Sequence, residues 1–310
     1  MTNGIYTLAN DVVYDQLVAL LNSIEVNVGQ DIPVCIIPYD RQLEQVRAEV
    51  ARRKNVELLD DSEILAPWRE FAYQAWETHP QALQYWRETE KEAKALACHH
   101  RYAAFDPRSP LENFIYFDSD VLVLNSVDLM FEQLNNYDFV VYDFQHRHPR
   151  HVYNLESPRL LEIFPESQIH SEIFCSGCFA AKRELFPKQQ RDWLVEQLAA
   201  GEAEILYFHS RDQSLLNYMR MRSALPICNL ALQLPEEKIT GNCVTSVHFK
   251  PKNHLLYDKG VRLTYLHYIG LSSQLFNRVC AGEELDFPYR DIFLHYRYLY
   301  EPEKRPQFSS

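Results

Sequence analysis

The residues Phe114-Ile115-Tyr116-Phe117-Asp118-Ser119-Asp120-Val121-Leu122-Val123-Leu124 form an apolar run that two aspartates interrupt. Such a run is typical of a strand buried on both faces. Side chains two residues apart on an extended backbone point to the same side, so Asp118 and Asp120 can bind one ion. A divalent cation would offset the free-energy cost of burying both carboxylates. Because carboxylate oxygens suit Mg²⁺ or Mn²⁺, which also bind phosphate oxygens, the run indicates a nucleotide-sugar site.

Strand and helix patterns alternate on the amino-terminal side of this run. Apolar segments at 5–9, 34–37 and 56–59 predict strands. The segments between them carry apolar residues at helical spacing, and the second predicted helix places Leu43, Val46 and Val50 inward. This alternation predicts an α/β fold with a Rossmann-like, mostly parallel central sheet flanked by helices. Its ligand site is expected at the carboxyl ends of the strands.

The remaining segments extend the same fold without an evident linker. Residues 63–105 are expected to be helical, and 139–142 and 179–181 to be strands, with further helices near 190–198 and 212–221. Residues beyond about 225 are rich in Pro, Tyr and His. The sequence therefore predicts one domain over 1–310 with a carboxyl-terminal elaboration from about residue 225.

The overall charge limits the class of ligand. A formal net charge of −12 argues against a nucleic-acid groove, which needs clustered Lys and Arg. It does not argue against an anionic ligand bound through a metal ion, because the ion reverses the local field.

The amino terminus and the cysteines indicate the compartment. No signal peptide is visible, and no apolar run reaches membrane-spanning length, so a cytoplasmic location is expected. The seven cysteines are odd in number and scattered, which is typical of reduced thiols. Cys175-Ser-Gly-Cys178 has the spacing of half a zinc site but lacks a second Cys pair, and buried structural thiols are the better interpretation.

Several short motifs occur in a characteristic order along the chain. They are Thr7-Leu8-Ala9-Asn10-Asp11 with Tyr14, the Asp118-Ser119-Asp120 motif, Ser176-Gly177, Asp212-Gln213 and His267-Tyr-Ile-Gly270. Together they resemble the GT-A-fold retaining glycosyltransferases related to glycogenin and the bacterial lipopolysaccharide galactosyltransferases. The resemblance extends from about residue 4 to residue 275.

The resemblance implies a role for each matched position. Asp118, Asp120 and His267 would bind Mn²⁺ or Mg²⁺, and Asp212 and Gln213 would lie at the reacting face of the donor sugar. The implied partners are a UDP-sugar donor and an acceptor that is a saccharide, a lipid-linked molecule or a protein. The implied nucleotide-sugar-binding residues are Thr7, Leu8, Ala9, Asn10, Tyr14, Arg101, Ser119, Ser176, Gly177 and Gly270.

Asp143 is a further catalytic candidate. It lies at the end of the predicted strand 139–142, where it could orient the acceptor or the sugar. No carboxylate nucleophile is evident from the sequence, so a front-face displacement is the expected route to retention.

Structural alternatives stand beside several of these roles. Asp118 and Asp120 could be solvated carboxylates in a turn at a strand end, and Arg101 could form a surface ion pair. Asn10 could cap a helix while Tyr14 packs in the core, and Asp212-Gln213 could cap the next helix. The segment His146–His151 could be a solvated loop, an acceptor rim or a transition-metal site.

Two positions depart from the family pattern. Cys175 stands where the family has Asn, and Ser273 stands where it has a Lys that steadies the leaving diphosphate. Arg278, Lys259 or Arg101 could substitute for that Lys. The departures leave a second hypothesis open, a non-catalytic GT-A domain that binds a nucleotide or a protein partner. A nucleotidyltransferase is disfavoured, because Leu8-Ala9-Asn10-Asp11 is neither Gly-rich nor basic.

Overall fold

A computed structural model describes residues 2–89 and 91–308 of the chain. Twelve strands are described in these ranges: β1 Asn3–Ala9, β2 Val34–Pro38, β3 Val56–Leu58, β4 Asn113–Asp118, β5 Val121–Val123, β6 Phe139–Val141, β7 Cys178–Lys182, β8 Ile227–Asn229, β9 Lys250–Lys252, β10 Leu255–Asp258, β11 Val261–Arg262 and β12 Tyr265–His267. Seven of them form the central sheet, in the order β3-β2-β1-β4-β7-β6-β8.

Helices connect and cover the strands. The α-helices are α1 Tyr14–Asn27, α2 Glu44–Val50, α3 Ser62–Glu77, α4 Ala82–Glu88, α5 Glu92–Ala97, α6 Asp128–Gln133, α7 Arg159–Ile163, α8 Glu166–Ile169, α9 Lys188–Ala199, α10 Arg211–Arg222, α11 Leu230–Gln233, α12 Ser273–Cys280 and α13 Arg290–Arg297. None of the helices in the described ranges combines the length and the apolar character needed to cross a membrane.

The predicted α/β class is confirmed. β2 pairs with β3 in parallel and β6 pairs with β8 in parallel, while β7 runs antiparallel to β6. The strands expected at 5–9, 34–37 and 56–59 correspond to β1, β2 and β3, and the helix expected at 212–221 corresponds to α10.

The chain forms two compact units. Unit 1 contains the described residues of 1–6, 59–116 and 130–233, and unit 2 those of 7–58, 117–129 and 234–310. Aromatic rings dominate the core of unit 1, where Phe105 packs edge-on against Phe114 and Phe186. Unit 2 has its own core, which includes Leu122, Leu266 and residues of α12 and α13. The single-domain organisation stays a prediction.

Leu43 and Val46 are buried as the pattern of the second helix predicts, and Val50 alone differs. Val50 is only partly buried, and Glu49 is buried in its place. The carboxylate of Glu49 lies 2.7 Å from the Arg53 guanidinium and accepts a hydrogen bond from the Tyr14 hydroxyl. These partners compensate the buried charge of Glu49. The expectation for Val50 is wrong, because hydropathy alone does not indicate that a carboxylate will be paired.

Candidate functional site

The Asp118-Ser119-Asp120 motif lies in a turn. Asp118 is the last residue of β4, and Ser119 and Asp120 lead into β5. The single strand expected over 114–124 is therefore wrong. β5 pairs antiparallel with β12 and buries Leu122 in the core of unit 2, which explains the apolar residues after the turn. Asp118 and Asp120 are partly buried, so their burial costs less than a position inside a strand would.

Three side chains of unit 2 meet at this turn and are called the metal-ligand cluster: Asp118, Asp120 and His267. One oxygen or nitrogen atom from each lies within 4.8 Å of the others. The Nε2 atom of His267 is 3.2 Å from Oδ1 of Asp120. In the ranges that the structure describes, no other group of three His, Cys, Asp or Glu side chains has this geometry. Two carboxylates and an imidazole fit a divalent cation such as Mn²⁺.

Backbone hydrogen bonds fix His267, which is 5% exposed. Its N–H donates to the carbonyl of Asn242 at 2.7 Å, and its carbonyl accepts from the N–H of Val244 at 2.9 Å. In β12 it lies opposite Val121 of β5. The next amide, of Tyr268, donates to the carbonyl of Asp120 at 3.0 Å. The imidazole is thus held beside the aspartate turn by rigid strand pairing, as a preformed ligand set requires.

The residues expected to bind the nucleoside lie at the end of β1. The side chains of Thr7, Leu8 and Ala9 are buried, so any contact that they make with a nucleotide would come from their backbone. Asn10 accepts a hydrogen bond from the N–H of Val12 at 3.1 Å and donates to Asp40 at 2.8 Å. The capping role of Asn10 is therefore confirmed.

Tyr14 is held on two sides within unit 2. Its hydroxyl donates to Oε2 of Glu49 at 3.1 Å, and the Arg297 guanidinium lies 5.5 Å from its ring centre. Burial and the Glu49 charge raise the pKa of Tyr14 to about 12, so the hydroxyl stays protonated at neutral pH. Base stacking by Tyr14 stays a prediction.

The segment after His267 contains the Gly and the position of the absent Lys. Gly270 has a φ of +82°, and an added Cβ would meet no atom within 4 Å, so the backbone conformation alone favours glycine. Ser273 is the first residue of α12, which Ser272 caps by accepting from the N–H of Gln274. Arg278, one of the cations expected to substitute, donates two hydrogen bonds to Glu283.

Unit 1 contains a second group of expected site residues, called the Asp212 cluster: Arg101, Ser176, Asp212 and Gln213. The Asp212 side chain is nearly buried, and its Oδ2 atom accepts from the Ser176 hydroxyl at 2.8 Å. The same oxygen lies 3.2 Å from Nε of Arg101. The contacts of this carboxylate therefore go to other elements and not to the amides of α10, which disfavours the capping interpretation.

Arg101 is buried, with 5% of its surface exposed, so the surface ion pair expected as an alternative is wrong. Its guanidinium donates to the carbonyl of Cys98 at 3.0 Å and to that of Ser176 at 2.9 Å, and it lies 4.7 Å from the ring centre of Tyr116. Because it also faces Asp212, this one cation joins the start of the 98–105 helical segment to the turn at Ser176 and to α10. A planar group with several N–H donors is suited to that task.

Gln213 is oriented by two backbone groups. Its Oε1 atom accepts from the N–H of Ser176 at 3.2 Å, and its Nε2 atom donates to the carbonyl of His151 at 2.9 Å. Residues 145–147 and 149–151 form two short 3₁₀ turns with His148 between them. His146 is buried, whereas His148 and His151 are exposed. The His146–His151 segment thus supports Gln213 through a carbonyl group.

Asp143 binds backbone amides through both carboxylate oxygens. Oδ2 accepts from the N–H of Cys175 at 2.9 Å, and Oδ1 accepts from the N–H of Gln145 at 2.7 Å. The Sγ atom of Cys175 lies 3.4 Å from the N–H of Gly177 and accepts its hydrogen bond. The cysteine thiol therefore makes the local turn contact that an Asn side chain can make. These bonds indicate that Asp143 positions the 175–177 turn.

The backbone is strained immediately before Asp212. Arg211 has φ 42° and ψ −112°, a conformation that non-glycine residues rarely adopt. Strain of this kind persists only where the surroundings enforce it, and it is frequent at functional sites. Here the Tyr102 hydroxyl donates to the backbone carbonyl of Asp212 at 2.7 Å and holds the start of α10.

Sequence reasoning missed Tyr102 and the carbonyl of His151. Tyr102 is one residue from Arg101 and fully buried, so its aromatic character alone indicates only core packing. The Cys98 thiol and the His99 imidazole, which precede Tyr102 in the same segment, are also structural. Burial and the nearby Asp212 charge raise the pKa of the Cys98 thiol, and burial lowers the pKa of His99 to about 4. Both groups are therefore neutral at neutral pH.

Comparisons with solved structures identify the fold. The galactosyltransferase LgtC, solved with donor and acceptor sugar analogues, aligns with a TM-score of 0.56 at 12% identity over 92% of this chain and 97% of that one. The chain has the GT-A fold. The bifunctional glycosyltransferase WbbM aligns with a TM-score of 0.54 at 15% identity, over 98% of this chain and 52% of that one.

A mammalian enzyme shows the same architecture. The apo form of mouse xyloside xylosyltransferase 1 aligns with a TM-score of 0.51 at 10% identity, over 74% of this chain and 85% of that one. No protein-family model and no curated protein matches the sequence. The resemblance read from the short motifs is thus confirmed at the level of the fold.

Proposed function

We propose that the chain is a metal-dependent glycosyltransferase that transfers a sugar from a nucleotide sugar, expected to be a UDP-sugar, to an acceptor with retention of the anomeric configuration. The GT-A fold supports this proposal, because the compared structures with this fold are named as glycosyltransferases. The observation that carries it is the metal-ligand cluster, in which Asp118, Asp120 and His267 bring three ligand atoms within 4.8 Å.

The metal-ligand cluster would hold Mn²⁺ or Mg²⁺. A divalent cation bound there supplies electrostatic stabilisation of the charge that develops on a leaving diphosphate, usually worth several kcal/mol. The chain's own contribution is a preformed ligand set, since backbone bonds fix His267 and the turn fixes the two aspartates. Ser119 and Gly270 are proposed to contact the nucleotide beside the cluster.

The Asp212 cluster would bind the transferred sugar. Asp212 is proposed to accept a hydrogen bond from a sugar hydroxyl, and Gln213 to lie beside the anomeric carbon. Their side chains are already held by Ser176 and by the carbonyl of His151, so they are pre-oriented for this task. Arg101 and Asp143 are proposed to act through them as positioning residues, because their described bonds go to Asp212 and to the 175–177 turn.

We also propose a cytoplasmic location, which the cysteines support. All seven are free thiols in the structure, and four of them are buried. Reduced thiols suit the cytoplasm, where disulfides are rare.

A donor-hydrolysis assay tests the proposal. The native chain is expected to hydrolyse at least one UDP-sugar slowly without acceptor, and only when Mn²⁺ or Mg²⁺ is present. Asp120→Asn keeps the size of the side chain but removes its charge, so hydrolysis should fall at least a hundredfold, the effect of about 2.7 kcal/mol. Asp291→Asn is the matched control, since this carboxylate is 76% exposed and outside the cluster.

Two results would contradict the proposal. Metal-dependent binding of UDP without hydrolysis of any UDP-sugar or transfer to any acceptor would favour the non-catalytic GT-A domain. Hydrolysis that is equal in Asp120→Asn and in the native chain would remove the metal-ligand cluster from the mechanism.

A further inference from the structure

Four aromatic side chains form a partly exposed surface in unit 1, here called the aromatic platform: Tyr85, Tyr207, Phe208 and His209. The ring centres of Phe208 and His209 are 4.2 Å apart, and Tyr85 lies 5.2 Å from Phe208 and 5.1 Å from His209. Tyr207 lies 5.1 Å from His209. None of the four is fully buried, and His209 is exposed. The platform thus differs from the core rings of the same unit.

Buried rings support the platform from below. His79 lies 5.3 Å from Phe208 and 5.8 Å from the fully buried Trp76. Its Nδ1 atom accepts from the N–H groups of Gln81 and Ala82, both at 3.1 Å, at the start of α4. Burial lowers the pKa of His79 to about 4, so it remains neutral and keeps these bonds at neutral pH. The platform therefore rests on a fixed base.

The platform is joined directly to the Asp212 cluster. Phe208–Ser210 is a 3₁₀ turn that leads into α10, and His209 is three residues before Asp212. The N–H of Tyr207 donates to the hydroxyl of Ser214 at 3.0 Å, and that hydroxyl donates to the carbonyl of Val152 at 2.6 Å. One hydrogen bond thus links the platform to the first turn of the helix that carries Asp212 and Gln213.

We propose that the aromatic platform binds a saccharide acceptor by stacking the apolar face of a pyranose ring on Tyr85, with the imidazole of His209, whose plane is 83° from that of Tyr85, against the edge of the sugar. This proposal rests on the proposed function, and it names the acceptor class for the same site. A pyranose has a face of C–H groups and an edge of hydroxyls, so it suits aromatic faces whose rims carry a phenol and an imidazole. Packing alone does not require four partly exposed rings beside one another when the supporting Trp76 is fully buried.

Saccharide binding is measured without nucleotide, so that it does not depend on donor activity. The probes are lactose, cellobiose, maltose and chitobiose, titrated into the full chain by ligand-observed NMR. At least one should bind the native chain. Tyr85→Ala should weaken that binding roughly tenfold, as the loss of a stacking ring does for flat ligands. His209→Ala should also weaken it, because the imidazole contacts the edge of the sugar. Tyr85→Phe keeps the ring and should restore most of the affinity.

Tyr300→Ala is the matched control, because Tyr300 is an exposed tyrosine of unit 2 outside the platform. It should bind the disaccharides as the native chain does. Equal affinities for native chain, Tyr85→Ala and His209→Ala would overturn the proposal, as would failure of all four disaccharides to bind. If UDP binds with Mn²⁺ but no disaccharide binds, the platform proposal alone fails. If disaccharides bind at the platform but UDP does not bind, the donor proposal fails instead.

Discussion

Arg101→Met is expected to lower the free energy of unfolding of unit 1 by about 3–5 kcal/mol, the typical cost of removing one partner of a buried ion pair. The guanidinium of Arg101 lies 3.2 Å from Asp212 and donates to the carbonyls of Cys98 and Ser176. Methionine fills similar space but leaves a nearly buried carboxylate and two carbonyls without this donor. A loss of this size is a large fraction of a domain's total stability of roughly 5–15 kcal/mol.

Urea denaturation followed by tryptophan fluorescence measures this loss in the relevant unit. All four tryptophans of the chain belong to unit 1, and Trp68, Trp76 and Trp86 are buried there. Arg87→Met is the matched control. The Arg87 side chain is 55% exposed and lies 2.9 Å from Glu92, and an exposed ion pair of this kind adds little to stability because solvent screens it.

The two variants distinguish a buried ion pair that stabilises unit 1 from an exposed one that does not. If Arg101→Met costs no more stability than Arg87→Met, the buried cation does not hold the Asp212 cluster together. A loss of stability in Arg101→Met with unchanged donor hydrolysis would show that Arg101 stabilises unit 1 but is not needed for the chemistry.

Three further substitutions test the roles of Ser273, Gly270 and His99. Ser273→Lys restores the cation that the family resemblance implies. One added charge-assisted contact to the leaving diphosphate should raise the rate of donor hydrolysis roughly tenfold. An unchanged rate would show that the missing Lys does not limit turnover. Gly270 has a φ of +82°, which strains an alanine at that position. Gly270→Ala should therefore lower the free energy of unfolding in urea by about 1–2 kcal/mol. An unchanged free energy of unfolding would show that the turn relaxes freely. Burial lowers the pKa of His99 to about 4, whereas the unfolded chain takes up that proton near pH 6.5. Stability should therefore fall as the pH drops from 6.5 towards 4, and His99→Phe should show a smaller fall over that window than the native chain.

The parts of the fold that follow from local pattern could be predicted. β1, β2 and β3 are short apolar segments separated by amphipathic helices, and the hydrophobic period alone identifies them. The apolar run from 114 to 124 is different, because apolarity does not distinguish one buried strand from two. The turn at Ser119-Asp120 is needed so that β5 can pair with β12, and that pairing depends on residues more than 140 positions away.

The candidate site divides in the same way. Asp118, Asp120 and His267 could be named from motifs, and the structure brings their ligand atoms together. The roles of Arg101 and Asp143 could not be assigned from sequence, since their charges satisfy a carboxylate and backbone amides that only the folded chain brings near. The same holds for Tyr102 and for the carbonyl of His151, which carry no signature in the sequence.

Calorimetric titration of UDP into the chain, with and without Mn²⁺, tests whether a metal ion at Asp118, Asp120 and His267 binds the nucleotide. We expect Mn²⁺ to strengthen UDP binding to the native chain at least tenfold, and we expect Asp120→Asn to abolish this gain while Asp291→Asn retains it. UDP binding to the native chain that is equally strong with and without Mn²⁺ would contradict a metal-bridged nucleotide site at Asp118, Asp120 and His267.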